Sequence, residues 1–111
     1  MSSATVAPER VAQALADGTR LRILRLVRDD ERSAGELAAA FPEMTRPAVS
    51  QHLRVLHDAG LVSVRPKGTH RLYRADLAGL APVVRFIDEM WSDRLQRLKH
   101  AVETNERGRG R

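Results

Sequence analysis

A chain of 111 residues with 42% apolar side chains, 30% charged side chains and no cysteine has the size of one ordinary domain, which argues against a two-domain enzyme. Without thiols, disulfides, thiolate metal sites and cysteine nucleophiles are excluded. The longest apolar runs are a few residues, against about 20 for a spanning helix, and MSSATVAPER lacks an apolar signal-peptide core. The expectation is a soluble cytoplasmic protein with no membrane partner.

Lys and Arg number 19 against 14 Asp and Glu, a formal charge of +5. Residues 9–45 and 75–111 are each balanced to within one charge, whereas 46–74 hold Arg46, Arg54, Arg65, Lys67, Arg71 and Arg74 against Asp58 alone. That block accounts for the whole imbalance, and a block so one-sided points to a polyanionic partner.

Residues 1–7 are small and polar, and 105–111 alternate charge with glycine. Both ends are expected to be disordered, the latter as a basic tail, leaving 8–104 as the folded domain. Pro8 suits a first helical position, and Val11 and Leu15 at i, i+4 predict a short helix ending near Asp17-Gly18. Asp17 can cap a second helix through TRLRILRLVR, with Leu21, Ile23, Leu24 and Val27 inward and Arg22, Arg25 and Arg28 outward. Asp29, Asp30 and Glu31 end it in a polar turn. Ser33 with Glu36 three residues on has capping-box spacing and opens a third helix at about 34–40. Pro42 breaks that pattern, and Thr45 can cap a fourth helix whose early Pro47 lacks only a donor that would be orphaned anyway. It runs to Ala59, where Gly60 supplies a left-handed stop. Two short helices joined by a few residues form a helix-turn-helix pattern.

After Gly60 the period falls to two, with Leu61, Val62 and Val64 before a Pro66-Lys67-Gly68-Thr69 tip and Leu72 among charges beyond it. This predicts a small hairpin at 61–75. From Asp76 a helical pattern returns, and Pro82 can start the long helix or interrupt it by one turn. Leu80, Val84, Ile87, Trp91, Leu95, Leu98 and Val102 form one apolar stripe, with Val83, Phe86 and Met90 beside it. So wide an arc needs two partners: the domain's own core for one stripe and a second copy of the chain for the other. Val11, Leu15, Val84, Ile87, Trp91, Leu95 and Leu98 are the expected dimer contacts, which gives a mainly α fold with a small β-hairpin, dimerising through its terminal helices.

In the fourth helix, at about 100° per residue, Val49, Leu53 and Leu56 share one face and Pro47, Ser50, Gln51 and Arg54 look away from it. A small, polar, basic outer face suits the major groove: an amide for adenine, a guanidinium for guanine or phosphate, and a short hydroxyl that lets the helix approach. Thr45 and Arg46 lie at the N-terminal end, where backbone N–H groups favour phosphate. His52 sits on the flank as a polar or phosphate-contacting residue. His52 and His57 point about 140° apart and cannot chelate together within one helix. Arg65, Lys67, His70 and Arg71 around the hairpin tip form a basic wing that can follow the adjacent DNA backbone or enter the minor groove. One Trp, one Tyr and two Phe are too few for a stacking platform, which disfavours single strands.

ALADGTRLRILRLV, SAGELAAA, TRPAVSQHLRVLHDAGLV and RPKGTHRLYR together resemble the ArsR family of winged helix-turn-helix transcription regulators over residues 9–75. The resemblance implies a dimeric repressor that releases operator DNA on a signal, with 46–59 as recognition helix, Ser50, Gln51 and His52 as DNA contacts and 61–75 as wing. It also brings departures. The arsenic-sensing members carry cysteines where this chain has GELAAAF. The zinc-type members pair Asp and His at both ends of the last helix, where this one offers Asp88, Glu89, His100 and Glu103 at unmatched spacing. Metal sensing is not carried over, although His100 and Glu103 leave an intersubunit site open. FIDEMWSDRLQRLKHAV resembles a subgroup without metal sites, which implies autoregulation.

The expectation is therefore a homodimeric repressor that binds an inverted-repeat double-stranded DNA operator. It has no cofactor, and its effector is a small molecule of unspecified chemistry. A metal-responsive repressor and a protein-interaction module are the alternatives, and the latter suits a neutral recognition face better than this basic one. No nucleophile elbow, phosphate loop or paired-carboxylate spacing occurs, which speaks against an enzyme.

Overall fold

Three of the helices begin at a side-chain oxygen that takes the place of a missing turn. A computed structural model describes residues 6–109, in the order α1 (Pro8–Leu15), α2 (Gly18–Leu26), β1 (Arg32–Ser33), α3 (Ala34–Ala39), α4 (Arg46–Asp58), β2 (Val62–Lys67), β3 (His70–Ala75), a 3₁₀ turn (Leu77–Leu80) and α5 (Ala81–Arg109). Asp17 accepts from the Arg20 N–H at 3.0 Å, and Thr45 accepts from the Ala48 N–H at 3.3 Å. At Ser33 the capping box closes both ways: its hydroxyl accepts from the Glu36 N–H at 3.1 Å and its own N–H donates to the Glu36 carboxylate at 2.8 Å. Each cap satisfies donors that the first helical turn leaves orphaned. The α4 stop is at Gly60, whose φ of 78° lies in the left-handed region. There the Leu61 N–H donates back to the Leu56 carbonyl at 2.9 Å.

The hairpin is antiparallel, Val62 opposite Ala75 through Lys67 opposite His70. The sheet has a third strand that the sequence does not announce: β1 pairs with β3, Arg32 opposite Tyr73 and Ser33 opposite Leu72, giving the order β1-β3-β2. Two residues are too few to show a period of two, so only the tertiary pairing reveals the strand. It joins the start of α3 to the hairpin, so the helix-turn-helix and the wing share one frame.

The core gathers Val11, Ala14, Ile23, Val27, Leu37, Phe41, Val49, Leu53, Leu56, Ala59, Leu61 and Val62, every one at most 4% exposed. This places Val11 inside the monomer instead of at a dimer face, because α1 turns Val11 and Ala14 together toward the core while packing on α2 and α5. Leu15 is half-buried against the same core. Leu21 and Leu24, expected inside, are only half-buried; Ile23 and Val27 are the α2 residues that reach the centre. The periodicity of α2 indicates a side, not what stands opposite it.

Pro82 lies in the first turn of α5, after the 3₁₀ turn, and the helix continues past residue 104 to Arg109. Residues 1–5 and 110–111, from the two expected disordered ends, lie outside the described residues. The domain's own core takes only Leu80 at the end of the 3₁₀ turn and Val83 in the first turn of the long helix. From Val84 to Val102 both apolar stripes remain open, so the expectation that the core would cover one of them fails.

The 3₁₀ turn lies on the end of α4 with no room between backbones: a Cβ added at Gly79 would fall 1.8 Å from the Gly60 carbonyl oxygen. Beside that contact the Asp76 N–H donates to the Leu61 carbonyl at 2.8 Å and the Ala75 N–H to the Val27 carbonyl at 2.9 Å. The root of α5 is thus joined closely to the end of α4. Gly79→Ala should lower stability by roughly 1–3 kcal/mol through forced backbone separation. Gly18→Ala, where a Cβ meets nothing within 4 Å, should be neutral or slightly stabilising. Equal thermal midpoints for the two variants would contradict the close joint.

The caps also set an acid response. Asp17 is held below the ordinary carboxylate range chiefly by the Arg20 N–H, and Glu36 chiefly by the Ser33 N–H. A carboxyl lowered in the folded state adds stability that is present above its unfolded value and is lost as pH falls through its folded value. Urea unfolding should therefore show stability declining below about pH 4. The decline should be shallower in Asp17→Asn/Glu36→Gln, which keeps both caps but removes both titrations. An unchanged decline would show that other groups set it.

Candidate nucleic-acid interface

α4 is amphipathic, and its buried row fixes what it presents. Val49, Leu53 and Leu56 are at most 2% exposed, and Thr45, Arg46, Pro47, Ser50, Gln51 and Arg54 are all exposed. These six predicted residues therefore share an accessible surface running from the cap along the helix. A hollow of about 520 Å³ between α4 and the hairpin is lined by Ser50, Arg54 and His57 on one side and by Val64, Arg71 and Tyr73 on the other. It brings two predicted helix residues and one predicted wing residue to a single concave surface, with Asp58 as its one carboxylate.

On the wing, Lys67, His70 and Arg71 are exposed, and Gly68 at φ 62° makes the tight tip. Arg46, Arg54, Lys67 and Arg71 have no carboxylate within ion-pair distance among the described residues. Arg65 differs from the other predicted wing residues. Its guanidinium donates twice to Glu31, from Nε and from Nη2, each at 2.7 Å. The bidentate fork lowers the Glu31 carboxyl and raises the Arg65 guanidinium. Arg65 thus ties the turn after α2 to the middle of β2, and its charge is neutralised within the monomer.

His52 is half-buried, and its Nδ1 lies 3.1 Å from Nη1 of Arg20. Guanidinium has no acceptor, so Nδ1 must accept, which leaves the proton of the neutral ring on Nε2. Arg20 is itself anchored: Nε donates to the Ala14 carbonyl at 2.6 Å and Nη2 to the Gln13 carbonyl at 3.1 Å. One arginine therefore binds the end of α1, the cap of α2 and the flank of α4. Neither Arg20 nor Glu31 is among the residues expected from the sequence. Arg20 stands three residues after its cap, and its partner is 32 positions away. No local pattern marks such a pair.

The metal pattern that the family resemblance raises does not fit. Among the described residues no three His, Asp or Glu side chains gather where one ion would reach them. α3 supplies Glu36 alone, already used in its cap, and His100 and Glu103 stand on an exposed length of α5.

The helix-turn-helix domain family matches residues 15–65. The chain is 48% identical over 85 residues to the HTH-type transcriptional regulator Rv2034 of Mycobacterium tuberculosis, covering 77% of this chain and 78% of the relative. Among solved structures it is 31% identical to an ArsR-like transcriptional regulator from Rhodococcus sp. RHA1, with TM-score 0.73, covering 87% of this chain and 91% of that one. It is 37% identical, with TM-score 0.59, to Mb0332 of Mycobacterium bovis, described as a homodimeric winged helix-turn-helix DNA-binding domain and a possible ArsR-family regulator. That match covers 73% of this chain and 77% of the other. With the buried row of α4, the three-stranded wing and these relatives in agreement, the chain belongs to the ArsR family of winged helix-turn-helix transcriptional regulators, which are not enzymes.

Proposed function

We propose that the protein is a cytoplasmic homodimeric repressor that binds an inverted-repeat DNA operator, placing α4 of each copy in the major groove and each wing along the neighbouring backbone. The observation that carries this reading is the outward row of α4, where Ser50, Gln51 and Arg54 stand free because Val49, Leu53 and Leu56 are buried. Gln51 reads base edges, Arg54 reads guanine or phosphate, and Thr45, Arg46, Lys67, His70 and Arg71 position the duplex. The Nε2–H of His52, set by Arg20, donates to a phosphate. No helix among the described residues is long and apolar enough to cross a membrane.

The second copy is called for by α5. Val84, Phe86, Ile87, Met90, Trp91, Leu95, Leu98 and Val102 are 47–58% exposed, a continuous apolar patch that one copy leaves in water. Mb0332, whose fold is similar, is described as homodimeric. Two-fold pairing sets the two α4 helices for half-sites about one turn, ~34 Å, apart. Leu95→Glu should give a monomer in sedimentation velocity with a folded winged-helix circular dichroism signature. A dimer that survives this change would move the interface elsewhere.

With about four phosphates neutralised per copy, operator affinity should fall with log salt at a slope of about −7. A flat response in a gel-shift series would remove the phosphate assignments. Gln51→Ala should relax sequence preference, whereas Lys67→Ala should weaken all duplexes alike; equal, sequence-independent losses would refute the separate roles. Glu31→Gln releases Arg65, so the salt slope should steepen by about 1 for each further phosphate that the freed guanidinium neutralises. An unchanged slope would assign Arg65 to the fold alone.

A further inference from the structure

Six leucines, five of them outside the fully buried core and all of them off the apolar face of α5, meet in one place. Leu15, Leu21, Leu24, Leu61, Leu77 and Leu80 line a cleft of about 160 Å³ whose surface is almost wholly apolar. Leu77 is 61% exposed, and Leu15, Leu21, Leu24 and Leu80 are only half-buried, in a domain whose core residues are at most 4% exposed. Arg25 and Arg28 stand on the α2 side, with Asp76 the only acidic residue in the lining. Among the described residues Arg25 has no ion-pair partner, and Arg28 has only its neighbour Asp29 at 3.4 Å, with both side chains at least 61% exposed.

We propose that this cleft is an effector site for a small amphipathic carboxylic acid of the size of benzoate or octanoate. Size sets the scale, since an apolar cavity of about 150 Å³ holds one benzene ring. The lining sets the chemistry: an apolar body lies among the leucines, and the carboxylate reaches the exposed guanidiniums at the mouth, where Arg is suited to a planar oxyanion. Four segments contribute its lining: α1, α2, the residue after the α4 stop, and the stretch from the end of β3 into the 3₁₀ turn. The charge at its rim favours an anion over a neutral or cationic guest.

The cleft's place gives its occupation a consequence. Leu61 follows the Gly60 stop of α4, Ala75 ends β3, Asp76 precedes the 3₁₀ turn, and Leu77 and Leu80 belong to that turn, which leads into α5. A guest wedged there presses on the contact between Gly79 and Gly60 and changes the angle between α5 and α4. Resting on the proposed dimeric DNA-binding function, the angle sets the spacing of the two reading helices, so the acid lowers operator affinity. By linkage, bound DNA lowers affinity for the acid by the same factor.

The test uses the full chain and four probes: benzoate, octanoate, benzyl alcohol and 1-octanol. Leucine methyl NMR is recorded without DNA, so its outcome does not depend on whether the DNA reading holds. Both acids should shift the methyls of Leu24, Leu61 and Leu77 in a saturable way, at least tenfold more tightly than the matching alcohols. Arg25→Ala/Arg28→Ala should abolish that preference while leaving the alcohols' weak binding unchanged. Saturating acid should then weaken operator binding roughly tenfold. Unshifted cleft methyls, equal affinity for acids and alcohols, or cleft methyls carrying contacts from the second copy in the free dimer would each overturn the acid site. Acid binding with operator affinity unchanged would overturn its regulatory role.

Discussion

Val49, Leu53 and Leu56 bind α4 to the core, and the orientation of the whole reading surface follows from that attachment. Each side chain is at most 2% exposed, so together they contribute roughly 5–9 kcal/mol of burial. The Arg65–Glu31 fork contributes far less, since a solvent-exposed ion pair gains little over its separately hydrated charges. Burial therefore decides which way α4 faces, and the polar contacts only fine-tune it. A helix with a period near 3.6 that buries one such row cannot avoid turning Gln51 and Arg54 to water.

Polar contacts fix what burial leaves loose. Burial sets the rotation of α4 but not the tautomer of His52 or the height of the wing. Arg20 settles the first by occupying Nδ1, and it can do so because two backbone carbonyls hold its other nitrogens. Glu31 settles the second by gripping the middle of β2 through two parallel bonds. Both devices use arginine, whose fixed fork reaches several acceptors at once where lysine would offer a mobile point charge. The price is one free cation fewer on the wing, whose remaining cations are Lys67, Arg71 and Arg74.

The parts legible in the sequence are those written in neighbouring residues. Asp17, Ser33 and Thr45 announce their helices because a cap acts over three positions. Gly60 announces a stop, and the switch from a period near 3.6 to 2 announces the hairpin. The outward residues of α4 follow from counting. Features that depend on distant chain are silent. β1 is two residues made a strand only by β3, and Gly79 reads as a loose glycine although a backbone 19 positions earlier leaves it no side-chain space. Val11 and Leu21 show the limit most plainly. Both are apolar at helical spacing, yet one lies at the centre and the other beside a cleft, because a period gives a direction and not a neighbour.

α5 links the fold of one copy to the assembly of two. Its eight exposed apolar side chains are each about half in water, so covering them yields about 1 kcal/mol apiece, or roughly 16 kcal/mol across two copies. The loss of free motion on association takes about 4–15 kcal/mol, the same order as this burial, so the apolar faces of α5 are large enough to carry most of the pairing. Because the same helix is rooted on the end of α4 through Gly79 and Gly60, the paired helices cannot turn without carrying the reading helices with them. On the proposed dimeric reading, a seam and a reading head carried by one chain couple half-site spacing to whatever shifts the root, and the leucine-lined gap proposed as effector site lies beside that root.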